Sequence, residues 1–177
     1  MGTVRIGDPS PSFNLPGVDG KSHILEEFQE MKVVVIVFSC NHCPTVKAYE
    51  DRMVAIQKDY ANKGVRFVAI NSNESKNYPE DSFENMKIRA KQKGFNFPYL
   101  RDESQSVAKA YGAQRTPEVY VFDRNRKLRY HGRIDDNVNE PKEVRFNYLR
   151  DALDAIIAGK PVPLEETEPI GCTIKWK

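Results

Sequence analysis

Apolar side chains crowd into one short run, KVVVIVFS at residues 32–39, and elsewhere recur at intervals. A nearly unbroken β-branched run predicts a strand buried on both faces of a largely parallel sheet. After it, Val46, Tyr49, Met53, Ile56 and Tyr60 alternate spacings of three and four, which predicts a helix over 44–62 with one inward face and Gly64 as its stop. VRFVAIN (65–71) predicts a second strand. SFENMKIRAKQKG (82–94) predicts a second helix with Phe83, Met86 and Ala90 inward, and NSNESKNYPED is the loop between them. A short strand at 97–100, a brief helix at 105–111, a hairpin of PEVYVFD and KLRYHGRI joined through RNR, and a helix over 141–158 ending at Gly159 complete the pattern.

The opening GDPSPSFNLPGVDGK is dense in turn-forming residues and carries isolated anchors at Phe13 and Leu15, so it predicts an ordered lead-in, followed by a helical turn at 25–30. At the other end, Ile170, Cys172, Ile174 and Trp176 alternate with Gly171, Thr173, Lys175 and Lys177, a period of two that puts the cysteine on the apolar face of an extended segment. From Gly159 to Cys172 the chain can span roughly 45 Å, enough to cross a domain of this size. Strands alternating with helices, then a hairpin and a last helix, predict an α/β sandwich with a mixed sheet. One domain is expected over 1–177, with a core at about 6–158 and a tail at 159–177.

Composition narrows the chemistry. Twenty-seven Lys plus Arg against 25 Asp plus Glu leave a formal charge of +2, which predicts no attraction to nucleic acid or an anionic membrane. The N-terminal residues lack the apolar core of a signal peptide, and no stretch reaches the roughly 20 apolar residues of a membrane helix, so a cytoplasmic location is expected. The cysteines, Cys40, Cys43 and Cys172, are an odd count, which argues for reactive, metal-binding or packed thiols over a disulfide framework.

Two of them lie in FSCNHCPT (38–45), at the junction of the buried strand and the helix. A C-x-x-C there lets two sulfurs approach bonding distance, while unpaired N–H groups and the positive end of the helix dipole favour a thiolate. His42, inside the motif, is expected to stabilise that thiolate further. The expected reaction is thiol–disulfide exchange. Pro44 leaves the capping residue open. With Cys40 as N-cap, Pro44 is the fourth helical residue and its ring crowds the Cys40 carbonyl. With Pro44 as first helical residue, Cys43 is the cap, in keeping with the extended geometry preferred before proline.

The order VVVIVFS, CNHC, long helix and RTPEVYVFD resembles the thioredoxin superfamily. The lead-in and VAKAYGAQRTPEVYVFDRNRKLRYHGRID look like its peroxiredoxin-like (redoxin, alkyl-hydroperoxide-reductase/thiol-specific-antioxidant) and membrane-tethered thiol–disulfide branches, and CNHCPT with IGCTIKWK is similar to a bacterial group of uncharacterised peroxiredoxin-like proteins. The resemblance covers 6–158 and implies a thioredoxin-like fold, a central mixed sheet with helices on both faces. It implies that Thr116 and Pro117 form a substrate-contacting loop with a cis proline facing the cysteines, with Arg115 beside it, and that Cys40 attacks while Cys43 resolves. No cofactor and no metal are expected, only a thiol- or disulfide-bearing partner.

The chain departs from those families in places. Ser39 stands where thioredoxins carry tryptophan, and Val34 where they carry a buried acid, leaving Glu50, another residue or bulk water to relay protons. The proline and Thr/Ser that peroxiredoxins place seven and three residues before their cysteine are Ile36 and Cys40 for Cys43, and Val33 and Val37 for Cys40. A thiol peroxidase acting through Cys43 or Cys40 is the alternative, and a copper- or zinc-binding chaperone the third reading, although no second C-x-x-C completes a four-ligand site. Cys172 is either a distal resolving thiol or a small hydrophobe under a docked tail. His23 and His131 are read as surface or hydrogen-bonding residues.

Overall fold

The computed structural model describes residues 3–177. Its centre is the run at 33–39. Strand β3 (Val33–Ser39) pairs in parallel with β4 (Val65–Asn71) on one side and antiparallel with β7 (Glu118–Phe122) on the other. Outside these lie β5 (Tyr99–Arg101), parallel to β4, and β8 (Leu128–Gly132), antiparallel to β7, giving a five-stranded mixed sheet in the order β5-β4-β3-β7-β8.

All seven β3 residues are buried, and alternate ones feed different cores. Val33, Val35 and Val37 share a cluster with Tyr49, Met53 and Ile56 of α1 (Pro44–Tyr60), Met86 of α2 (Phe83–Gln92) and Leu149 and Leu153 of α4 (Tyr148–Ile157). Val34, Ile36 and Phe38 share the opposite cluster with Val107 and Tyr111 of α3 (Ser106–Tyr111), Leu15 of the lead-in and Phe28. Burying such side chains contributes about 1.5–3 kcal/mol each, so a strand covered on both faces anchors both layers. The lead-in is ordered as expected: β1 (Asn14–Pro16) and β2 (Ser22–Ile24) form a small antiparallel ladder that pairs Leu15 with His23.

Two boundaries differ from the sequence pattern. The last helix starts at Tyr148, not near 141. Pro141 opens a short 3-10 turn, and the Asp136 carboxylate accepts the backbone N–H groups of Arg145 and Phe146, holding that stretch out of the helix. The brief strand expected at 97–100 lies at Tyr99–Arg101, with Phe97 packed as a core residue before it.

The tail is docked on its own chain. Strand β9 (Cys172–Thr173) pairs antiparallel with β6 (Arg115–Thr116), matching Thr116 with Cys172. Ile174 is buried beneath it, while Ile170 and Trp176, expected on the same apolar face, are exposed. Among the described residues no helix is long and apolar enough to cross a membrane.

Candidate active site

The strand ends at Ser39 and α1 begins at Pro44, so the four residues between them form the turn that carries the cysteines. Pro44 is the first helical residue, where its missing N–H costs nothing, and Cys43 is the N-cap with extended backbone (φ −64°, ψ 126°). The choice left open by Pro44 falls on Cys43, which stands at the positive end of a 17-residue helix.

The pairing of the sulfurs differs from the expected Cys40–Cys43 bridge. The disulfide joins Cys43 to Cys172 across a sequence separation of 129, and Cys40 is the free thiol. The reason lies in the register: pairing Thr116 with Cys172 lays the tail along the loop before Pro117 and sets its sulfur against Cys43. Cys172 is therefore no mere filler under the tail.

The Thr116–Pro117 peptide is cis, as the resemblance implied. The loop faces both motif cysteines: Thr116 Oγ1 lies 3.5 Å from Cys40 Sγ, and the Thr116 carbonyl oxygen 3.6 Å from Cys43 Sγ. Arg115 reaches over the tail, its Nη1 donating to the Gly171 carbonyl at 3.4 Å. Thus Cys40, Cys43, His42, Arg115, Thr116, Pro117 and Cys172 all gather at one end of the sheet.

Cys40 is not the exposed thiol expected of an attacking first cysteine. It is 2% exposed, and burial first and the Asp81 charge second push its thiol up from 9.0 to about 11. Asp81 itself was not legible in the sequence. It ends a 3-10 turn (Pro79–Asp81) in the long loop after β4 and is fully buried. Its carboxylate accepts the Asn41 N–H at 2.6 Å, Asn73 Nδ2 at 2.9 Å and Asn71 Nδ2 at 3.3 Å, and meets His42 Nδ1 at 2.5 Å. A buried carboxylate with this many donors is well compensated, and it fixes the His42 ring. Tyr78 stacks on that ring. Glu50, considered for proton relay, is committed instead to an ion pair with Arg89 and lies on α1, facing α2.

Donor atoms of Cys40, His42 and Asp81 lie within 4.8 Å of one another. A thiolate and an imidazole suit zinc or copper. Both Asp81 oxygens, however, already accept hydrogen bonds, so the set fits an oriented Asp–His pair beside a thiol better than a ligand shell.

Beneath the cis-proline loop is a second buried acid. Glu118 Oε1 accepts the backbone N–H groups of Gln114 and Arg115 at 2.8 and 2.9 Å, while Oε2 accepts from the Tyr120 hydroxyl and meets His131 Nε2 at 2.6 Å. Burial pushes the Glu118 carboxyl up, but His131 and the two N–H groups outweigh it and hold it below its ordinary value. His131 and Glu118 are thirteen residues apart on paired strands, a contact that only sheet register reveals. His23 likewise has partners no spacing announced, Asp19 and Glu27.

The Redoxin family matches residues 5–146 of this chain. The chain belongs to the Redoxin family. An uncharacterised conserved protein of Geobacillus kaustophilus, of known crystal structure, is 48% identical over 99% of this chain and 94% of its own, with a TM-score of 0.93. A hypothetical protein of Sinorhizobium meliloti 1021 is 40% identical over 99% and 96%, also with a TM-score of 0.93. The thiol-disulfide oxidoreductase ResA of Geobacillus thermodenitrificans is 27% identical over 128 residues, 71% of this chain and 68% of its own length. The redoxin chain thus has a thioredoxin-like α/β fold, with its cysteine motif at the strand-to-helix junction.

Proposed function

We propose that this redoxin is a thiol–disulfide oxidoreductase whose working bond is Cys43–Cys172, with Cys40 as an internal third thiol. The observation that carries the reading is the disulfide itself, formed on a helix N-cap and in contact with a buried free thiol. Cys43 has the features of the attacking residue, because the helix end favours its thiolate, whereas burial and Asp81 disfavour that of Cys40. In the reducing direction Cys43 attacks a partner disulfide, one partner sulfur leaves, and Cys172 or Cys40 then attacks Cys43 to release the other. The likeness to ResA supports exchange with thiols or disulfides of other proteins.

A second reading has a specific observation in its favour. A cysteine followed by Pro44 and Thr45 and bonded to a distal cysteine is also the product left when a hydroperoxide oxidises Cys43 to a sulfenic acid and Cys172 condenses with it, releasing water.

Trapping free thiols after mild oxidation, followed by peptide mapping, tests the bond, and turnover of a model disulfide with a dithiol reductant tests the activity. Exchange is expected to vanish in Cys43→Ser, and Cys172→Ser is expected to accumulate a Cys43 mixed disulfide or a Cys40–Cys43 bridge. Rapid hydroperoxide consumption lost in Cys43→Ser but retained in Cys40→Ser, with no exchange on the model disulfide, would overturn the assignment.

A further inference from the structure

Three sulfurs converge at this site, although exchange through one disulfide needs two. Cys40 and Cys43 form a buried cluster with Val46, and Cys172 packs against it. Thr116 touches both motif cysteines, and the backbone N–H groups of His42 and Cys43 face the Cys40 sulfur. Opening the Cys43–Cys172 bond turns this cluster into three thiols in one place, provided the tail stays docked.

The tail does not rely on its sulfur for that docking. The Ile174 N–H donates to the Gln114 carbonyl at 2.9 Å, the Lys175 N–H to Asn73 Oδ1 at 2.9 Å, and the Lys175 carbonyl accepts from the Glu74 N–H and Gln105 Nε2. Ile174 is buried in the cluster of Val107 and Tyr111, and Gly171 lies so close to the Thr116 carbonyl that a Cβ there would overlap it. None of these contacts involves a sulfur, so none is removed when the disulfide is reduced.

Three thiolates in mutual contact suit one soft centre, with bonds of roughly the 2.3 Å that thiolate makes to zinc. Charge selects the centre. Donor atoms of Cys40 and Asp81 lie within 4.8 Å of each other, in a buried place where uncompensated negative charge is costly. Three thiolates leave two negative charges on a monovalent ion and one on a divalent ion, but none on a trivalent centre. We propose that the reduced protein binds a trivalent metalloid hydroxide of the arsenite class through Cys40, Cys43 and Cys172 together. With As(OH)3, three As–S bonds form while three As–O and three S–H bonds break, and three water molecules leave. Arsenic stays trivalent, and no electrons are transferred. The site exists once a dithiol or phosphine reductant has opened the disulfide, and filling it occupies every thiol of the chain. It does not depend on the exchange chemistry above.

In the test, the full-length chain is reduced with a phosphine, freed of reductant without air and titrated with arsenite, and the adduct is weighed by native mass spectrometry. Three As–S bonds are expected, at one arsenic per chain; an adduct with two such bonds keeps a hydroxyl and is one water heavier. Cys40→Ser and Cys172→Ser are each expected to give the heavier adduct and to bind about a hundredfold or more weaker, the low end of what one further bond closed within a molecule contributes. Gly171→Val keeps all three thiols but pushes the tail off Thr116, and is expected to bind about tenfold or more weaker. The heavier adduct in wild type, wild-type affinity in either serine variant, or undiminished affinity in Gly171→Val overturns the three-sulfur site. Turnover of the model disulfide is scored on arsenic-free protein, so failure of the exchange reading leaves this site standing, and the reverse holds as well.

Discussion

In the oxidised protein Cys43 and Cys172 are locked together, so Cys40 is the one thiol that can be alkylated, and its rate against pH reports its ionisation. Its position costs it reactivity twice, through burial and through the Asp81 charge. Asp81→Asn removes the second influence while keeping the side chain's shape and one acceptor oxygen. At a separation of up to 4.8 Å, a unit charge is worth about 1 kcal/mol at the dielectric of water and about 3.5 kcal/mol at an effective value near 20. These bounds correspond to roughly four-fold to a few-hundred-fold more thiolate at a given pH. The assay is iodoacetamide modification of Cys40 followed by peptide mapping. Because the thiol is 2% exposed, the absolute rate includes the opening needed to admit reagent, but the midpoint of the profile reports the proton. The wild-type midpoint is expected at about 11, and that of Asp81→Asn at lower pH. A midpoint that stays put or moves up would refute the electrostatic reading of Asp81, provided circular dichroism shows the variant folded.

Other consequences follow from the same features. Cys172→Ser, compared with wild type in urea without reductant, should lose up to about 5 kcal/mol, the chain entropy released by opening a loop of 129 residues; a loss below about 1 kcal/mol would mean that the closed bond hardly restrains the unfolded chain. The folded Cys40 thiol titrates above its unfolded value, so its stabilisation is complete below pH 9.0 and is lost as pH rises toward about 11. That loss approaches about 2–3 kcal/mol and should be absent from Cys40→Ala in urea titrations at successive pH values. Pro44→Ala should change stability by less than about 1 kcal/mol, because proline at the first helical position loses no bond, whereas a gain near 3 kcal/mol would put it inside the helix.

What could be read from the chain was local. The run at 33–39 announced a strand with two covered faces, and the spacing from Val46 to Tyr60 announced the helix, because each signal is carried by neighbouring side chains. Glu50 and Gln57 interrupted that helical face without warning: Glu50 is held by Arg89 from α2, and Gln57 bonds the Val65 carbonyl and Phe67 N–H. Thr116–Pro117 was placed by resemblance, not by any propensity. Asp81 and Glu118 escaped notice for one physical reason: a buried acid is defined by the donors that surround it, and here those come from Asn41, Asn71 and Asn73 or from Gln114 and His131, brought together by the fold. The tail's alternation showed that Cys172 would lie on a docked face, but only the register of β6 with β9 says which sulfur it meets.

That register also explains why three cysteines gather where two would do. Cys43 can hold one bond, and Cys172 and Cys40 compete for it. Docking favours Cys172, through the backbone bonds of the tail and the burial of Ile174. Cys40 needs no docking, since it lies in the turn before Pro44, three residues from Cys43 and packed against it. If Cys40 were a ready thiolate it would attack Cys43 as soon as the tail bond formed and expel Cys172. Raising its thiol to about 11, through burial first and the Asp81 charge second, lowers its thiolate share about a hundredfold and slows that attack while leaving the sulfur in place. Asp81 therefore does more than orient His42: second to burial, its charge helps hold the Cys40 thiol above its ordinary value.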